Sequence, residues 1–337
     1  MRSVSLVILN RNGLHFLGPC LDSIRRQTRT PDEIIVVDNG STDGSQEWLS
    51  QHHPDIALLD LGYNTGFSLA MNRAIAAATG DYIALLNNDT ECEQQWLSEL
   101  IEALDRHPDV GFCASKMLHY QERYVIDTAG DGLTKAGQTY KRGFLHTDDG
   151  QYDRPERVFG ACAGAALYRK QMLDEIGGFD EDFYIFQEDG DLNFRAQLAG
   201  YPCLFVPSAI VYHHVGGTWK KTGYEFSIRL GQRNLIFVLI KNLPTVLWIR
   251  YGIWIIMNNI YSLLLGIWGG YGMAVLKGRF DVLRGLRLML RKRHDIQRNR
   301  RVSNDYLISI LNHHWVHQMV ESVRQKRVLR RQGINIQ

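Results

Sequence analysis

The stretch Val4-Ser5-Leu6-Val7-Ile8-Leu9-Asn10-Arg11-Asn12-Gly13 decides how the chain reads. A near-continuous apolar run, ended abruptly by amide and glycine residues, has the length of a strand covered on both faces and closed by a turn. Working outward, residues 14–27 carry Leu14, Leu17, Leu21 and Ile24 at helical spacing, with Pro19 the one discordant residue. A second apolar run, 33–37, is closed by Asp38-Asn39-Gly40-Ser41. Residues 56–61 and 82–86 read as a third and fourth strand, and 46–51 and 67–78 as the helices between them. This alternation predicts an α/β fold with a doubly wound, mostly parallel sheet. In such sheets ligands bind beyond the carboxyl ends of the strands. Attention therefore falls on Asn10 to Asn12, Asp38 to Ser41 and Asn87 to Asp89.

Length and charge narrow the class. The 337 residues hold one large domain with an appendage, or two domains, and a net charge of +2 argues against a nucleic-acid partner. Cys20, Cys92, Cys113, Cys162 and Cys203 are odd in number and form no Cys-x-x-Cys, which fits reduced thiols better than a disulfide frame or a zinc site. The first residues lack a long apolar segment, so no secretory signal is expected.

Three clusters carry candidate chemistry. Asp89 follows a strand with Asn87 and Asn88 beside it, a setting for a hard divalent cation that keeps waters and bridges phosphates; alone, it is also an ordinary turn. Asp38 can accept an N–H from a base while Ser41 offers a hydroxyl to ribose. Glu188, Asp189 and Asp191 lie within four residues behind the aromatics Phe183, Tyr184 and Phe186. Mutual repulsion and partial desolvation there raise a carboxylate toward the range of a general base. Asp191 also suits the first turn of the helix that follows. After the apolar 209–212, either His213 or His214 can complete a metal site, with Gly216-Gly217-Thr218 next in the chain.

Taken in order, these elements resemble the family 2 glycosyltransferases of GT-A fold, in particular their bacterial rhamnosyltransferase-like branch. The resemblance runs from Val4 to about Asn242. Besides residues 4–13 it rests on Ile35 to Ser45, Asn64 to Asn72, Leu85 to Thr90, Gly177-Gly178-Phe179-Asp180, Glu188 to Asp191 with Arg195, and Gly200-Tyr201. It implies that Asp38 reads a pyrimidine base beside Asn10, Arg11 and Ser41, with Asn72 and Asn87 in the same nucleotide-sugar site. Asp89 becomes the main ligand of Mg2+ or Mn2+, with His213 completing the site, and Asp189 becomes the base of an inverting displacement supported by Glu188. Gly164, Ala165 and Asp191 are acceptor-pocket candidates. Arg11 stands where the family often has a stacking aromatic. A guanidinium can stack on a base as well, so the donor is left as a dTDP- or UDP-sugar and the acceptor as a glycan or lipid-linked glycan.

The expected division is a catalytic domain over 1–222, split into a nucleotide-sugar half (1–109) and an acceptor-side half (110–222), with a helical region over 223–337. Residues 251–276 carry no charge, and 277–301 then hold ten Lys and Arg against Asp281 and Asp295. An aromatic, uncharged stretch followed by a basic amphipathic one predicts contact with an anionic membrane surface at the cytoplasmic face of the inner membrane, in-plane or re-entrant. Ending the chain near Lys241 is then expected to leave a more soluble catalytic domain. Two other classes share parts of this pattern: a non-catalytic membrane-binding protein with a dead transferase fold, and a sugar-nucleotide pyrophosphorylase. The latter wants a glycine-rich basic loop after the first strand, and a dinucleotide oxidoreductase needs G-x-G-x-x-G there. Asn10-Arg11-Asn12-Gly13 supplies neither.

Overall fold

A computed structural model describes residues 2–215 and 223–316, together with Val320 and Arg324. The boundary near 222 and the run Gly216-Gly217-Thr218 lie outside the described residues. Strands β1 (Val4–Asn10), β2 (Glu33–Asp38), β3 (Ala57–Asp60) and β4 (Tyr82–Asn87) alternate with helices α1 (Leu14–Arg25), α2 (Ser45–His52) and α3 (Phe67–Ala77). All seven expected elements form within a few residues of the predicted bounds. The four strands pair in parallel, in the order β4-β1-β2-β3. Each strand residue alternates faces, and β1 shows the consequence. Val4, Leu6 and Ile8 join one buried cluster with Leu17, Leu21 and Ile24 of α1, whereas Val7 joins another with Ala70, Met71 and Ala74 of α3.

The sheet continues through β5 (Thr90–Cys92), α4 (Trp96–Arg106), β6 (Phe112–His119), β7 (Ile126–Thr128), the hairpin β8 (Asp131–Leu133) and β9 (Thr139–Lys141), β10 (Glu156–Val158) and β11 (Ala165–Arg169). It is completed after α5 (Lys170–Ile176) and α6 (Glu188–Leu198) by β12 (Cys203–His213). Beyond β4 the order is β11-β6-β12-β10. Strand β11 runs antiparallel to both neighbours, so the sheet is mixed, of GT-A type. Antiparallel pairing of β12 with β5 sets His213 opposite Thr90, next to Asp89.

Among the described residues four helices follow: α7 (Tyr224–Asn242), α8 (Thr245–Trp268), α9 (Gly272–Arg298) and α10 (Asn304–Ile310). The uncharged stretch 251–276 is therefore not one helix. It breaks at Gly269-Gly270, where Gly270 takes φ +81°, a conformation that costs glycine little. Among the described residues helix α8 alone is long and apolar enough to cross a membrane, and it begins earlier, at Thr245, and includes Arg250. These helices bury Phe237, Leu239, Leu247, Ile255 and Met289 against Phe183, Phe194 and Leu198. Helix α6 is thus covered by the sheet on one side and by α7 to α9 on the other.

Lys241, only 1% exposed, lies between Asp180 and Asp191, 2.7 Å from the latter, and Lys292 of α9 reaches Asp180 at 2.5 Å. A cut at Lys241 would uncover this cluster and strip charges from two buried carboxylates. The catalytic part and the helical region therefore share this buried ion cluster. The ten cations of 277–301 are partly absorbed in the same way. Arg284, Lys292 and Arg301 pair with carboxylates within the chain, whereas Arg279, Arg293 and Arg300 bond to neutral carbonyl or amide oxygens and keep their charge.

Candidate active site

At the carboxyl ends of β1 and β2 the polar residues tie one another together. Asp38, fully buried, accepts from Asn10 Nδ2 (3.0 Å), the Ser41 backbone N–H (2.8 Å) and Gln46 Nε2 (2.9 Å). Ser41 Oγ accepts from the Asn12 N–H at 2.9 Å, and Asn10 Oδ1 accepts from Asn88 Nδ2 at 2.6 Å. This web binds the loop after β1 to those after β2 and β4. Asn39 extends it, accepting from the Thr65 N–H at 2.7 Å and donating to the Gly66 carbonyl at 3.0 Å.

A cavity of about 590 Å³ opens above this web. Its walls include Arg11, Asn39, Asn64, Asn87, Asp89, Lys141, Gly164, Glu188, Asp189 and His213. Gly164 lies close to Asn87, whose N–H donates to its carbonyl at 2.9 Å; a Cβ there would meet Asn87 Nδ2 at 2.9 Å. Asp38, Asn10, Ser41, Asn72, Ala165 and Asp191 are not among the wall residues. Asn72 instead clamps the chain at Phe179, donating to its carbonyl and accepting from its N–H, both at 2.8 Å. Ala165 is buried in β11. Asp191 faces away from the cavity and is fully buried with Arg195 (2.7 Å) and Lys241, so its expected place in the acceptor pocket is corrected to a structural ion pair.

His213 and Asp89 converge in the cavity, with Nε2 3.4 Å from Asp89 Oδ1. The other ring nitrogen, Nδ1, bonds Asp127 Oδ2 at 2.9 Å. His214 stacks on Tyr120, ring centroids 3.7 Å apart, and of the two histidines only His213 lines the cavity. Burial would lower the His213 imidazole, but Asp127 and Asp89 on either side override it and hold it at about 9. Buried Asp127 also receives Lys141 Nζ at 2.8 and 3.0 Å. Burial opposes its ionisation, yet Lys141 and His213 keep its carboxyl well below the usual range. A carboxylate behind a histidine, fixing its ring and presenting the free nitrogen, is a common support for a metal ligand. Asp89 and His213 could hold a divalent cation that takes its other ligands from phosphate and water. Among the described residues no group of three or more His, Cys, Asp or Glu forms a closed metal cage.

A second acidic cluster lines the cavity through Glu188 and Asp189, with Asp131 of β8 close behind. Burial and then the Asp189 charge push Glu188 up to about 8, and Asp131 is pushed to about 7 by the same two causes. Asp189 is itself raised, by burial foremost. Glu188 Oε2 is buried without a hydrogen-bond partner. The cluster thus resists full ionisation, the state from which a carboxylate takes a proton near neutral pH.

The loop ahead of this cluster is strained. Tyr184, Phe186 and Gln187 take φ of +65°, +69° and +67°, conformations that cost of order 1–3 kcal/mol each outside glycine. At Tyr184 the Ile185 N–H bonds back to the Phe183 carbonyl at 2.8 Å, closing a γ-turn of the rare, strained hand. Gly66 permits the close approach of this loop to α3, because a Cβ there would meet the Tyr184 ring at 2.4 Å. Sequence reasoning missed Asp127, Asp131 and Lys141, and it gave Asn39 no role of its own. Only Asn39 stood within a recognisable strand-end motif.

A mixed sheet of this order, with acids gathered beyond the carboxyl ends of its parallel strands, defines a GT-A glycosyltransferase. The chain belongs to glycosyl transferase family 2, whose sequence pattern matches residues 5–177. It is 29% identical over 230 residues to an N-acetylglucosaminyl-diphospho-decaprenol L-rhamnosyltransferase of Mycobacterium tuberculosis, covering 58% of this chain and 72% of that protein. Among solved structures, a mannosyltransferase from Pyrobaculum calidifontis in complex with GDP-Man and Mn2+ matches with TM-score 0.54 at 18% identity, over 88% of this chain and 85% of that one. GalNAc-T7 with UDP, GalNAc and Mn2+ matches with TM-score 0.58 at 15% identity, over 72% of this chain and 48% of that one. Both carry the fold only.

Proposed function

We propose that this glycosyltransferase moves a sugar, rhamnose or another hexose, from a dTDP- or UDP-sugar to a lipid-linked glycan in cell-envelope polysaccharide synthesis. The observation that carries the reading is that Asp89, His213, Glu188 and Asp189 all line one cavity. The relative's name points to the same acceptor chemistry, a sugar on a polyprenyl diphosphate. Asp189 accepts the acceptor hydroxyl proton while the acceptor oxygen bonds to the anomeric carbon and the bond to the diphosphate oxygen breaks, so configuration inverts. Glu188, in the same cluster, keeps the charge around Asp189 low before the proton moves. Asp89 and His213 hold Mg2+ or Mn2+, which when bound offsets the negative charge of the departing diphosphate. Asp127 keeps the His213 ring turned toward that position. Arg11, Asn87 and Asn64 face the donor, and the web of Asp38, Asn10 and Ser41 fixes the loops that carry them.

Helix α8 supports docking on a membrane surface. Ile249, Ile253, Ile256, Ile260, Leu264 and Trp268 recur at helical spacing and are exposed, Trp268 at 89%. Phe280 and Leu283 of α9 are exposed as well. An apolar face beside basic side chains suits an in-plane contact with the cytoplasmic leaflet. The test is turnover of a panel of UDP-, dTDP- and GDP-sugars with polyprenyl-diphosphate-GlcNAc in anionic vesicles. Nucleoside diphosphate release coupled to a longer glycan supports the reading. Release without glycan growth, or no release from any donor, refutes it.

A further inference from the structure

The strained loop over Phe183 to Phe186 makes no ladder of its own, so the partners of its carbonyls matter. Tyr184 O accepts from the N–H groups of Phe67 (2.6 Å) and Ser68 (3.2 Å) at the start of α3. The other three carbonyls converge on one side-chain amide, Phe183 O also accepting from the Ile185 N–H. Asn234 of α7, fully buried, places Nδ2 2.9 Å from Phe183 O, 3.0 Å from Ile185 O and 2.7 Å from Phe186 O. Its own orientation is fixed, because Oδ1 accepts from Arg233 Nε at 2.9 Å and the Arg233 guanidinium is anchored on Asp182 O at 2.8 Å. An amide group with two hydrogens facing three converging carbonyls is a device for holding a backbone that would relax without it. Glu188 and Asp189 follow immediately.

We propose that Asn234 is a positioning residue for catalysis: it holds the loop in the conformation that sets Asp189 in the cavity, so a helix outside residues 5–177 completes the site. The inference deepens the transferase reading and rests on Asp189 being the base. It predicts a particular kinetic signature. The residues proposed above to face the donor, Arg11, Asn64 and Asn87, lie on other loops, so donor binding should survive loss of Asn234 while the chemical step suffers. Glycine at Gln187 lowers the cost of the left-handed backbone there, so it should return part of the loss.

The test uses the full chain with Asn234→Ala and Asn234→Asp, the latter replacing the N–H donors by an oxygen that faces the same carbonyls. Expected is a kcat lowered about 10- to 100-fold, with donor KM within twofold of the parent. Addition of Gln187→Gly to Asn234→Ala should restore several-fold of kcat, measured against Gln187→Gly alone. A kcat within twofold of the parent in both Asn234 variants overturns the proposal, as does an equal rise in KM. So does failure of both to fold, since the proposal requires the loop alone to loosen. If the parent turns over no donor, the transferase reading fails first. The positioning claim is then read by amide hydrogen exchange, with Phe67 and Ser68 at least tenfold faster in Asn234→Ala; unchanged protection overturns it.

Discussion

Asp89 and Asp189 line the same cavity, yet the backbone that carries each is held in a different way. Asp89 sits between β4 and β5, and its surroundings are strand pairings. The Asn87 N–H donates to Gly164 O, Thr90 Oγ1 donates to Asn87 O at 2.6 Å, and the His214 N–H donates to Asp89 O at 2.9 Å. Asp189 follows a loop with three left-handed residues, held by Asn234 some 50 positions away and roofed by helices α7 and α9. The first site comes with the sheet. The second exists only once the C-terminal helices have docked.

Changing the first site should therefore remove chemistry without touching the fold. Asp89→Ala is expected to lower kcat/KM by about 1,000-fold, roughly 4 kcal/mol, and to abolish Mn2+ binding by electron paramagnetic resonance, with an unchanged melting temperature. Asp189→Asn should lower kcat by about 100- to 1,000-fold, the range for loss of a general base, with donor KM nearly unchanged. A dead Glu188→Gln beside an active Asp189→Asn would move the base by one residue. In the buried ion cluster beneath the second site, structure and activity fall together. Lys241→Ala removes the cation that Asp180 and Asp191 share; Lys292 and Arg195 still pair with them, so the loss should be less than the roughly 3–5 kcal/mol of a fully broken buried pair, measurable by urea denaturation.

The difference between the loops also explains what could be read from sequence. Asp38, Asp89 and His213 end apolar runs, and strand ends converge wherever parallel strands pair, so their neighbourhood follows from local pattern. Asp127, Asp131 and Lys141 lie on three-residue strands, too short to show a period, and nothing near them in the chain announces that they meet. Asn72 and Asp191 stand in motif positions but hold the fold together, since a buried polar side chain serves structure as readily as chemistry. The ten cations of 277–301 carried the same ambiguity. Six of them find partners inside the chain: Arg284 and Arg300 locally, but Arg279, Lys292, Arg293 and Arg301 on residues far away in sequence, visible only once the chain is folded.

A smaller effect probes the acid cluster. Burial raises Asp189, so activity should fall as pH drops through a range above that of ordinary carboxylates, because the base then stays protonated. An acid limb of kcat/KM lying in the ordinary carboxylate range would contradict a buried base.

The most direct test of the central claim is the anomeric configuration of the first product, read by NMR before any mutarotation or further transfer. One displacement with Asp189 as base predicts inversion relative to the nucleotide sugar. Retention of configuration would contradict it, because two displacements need a nucleophile or a front-face route that this assignment of Asp189 does not provide.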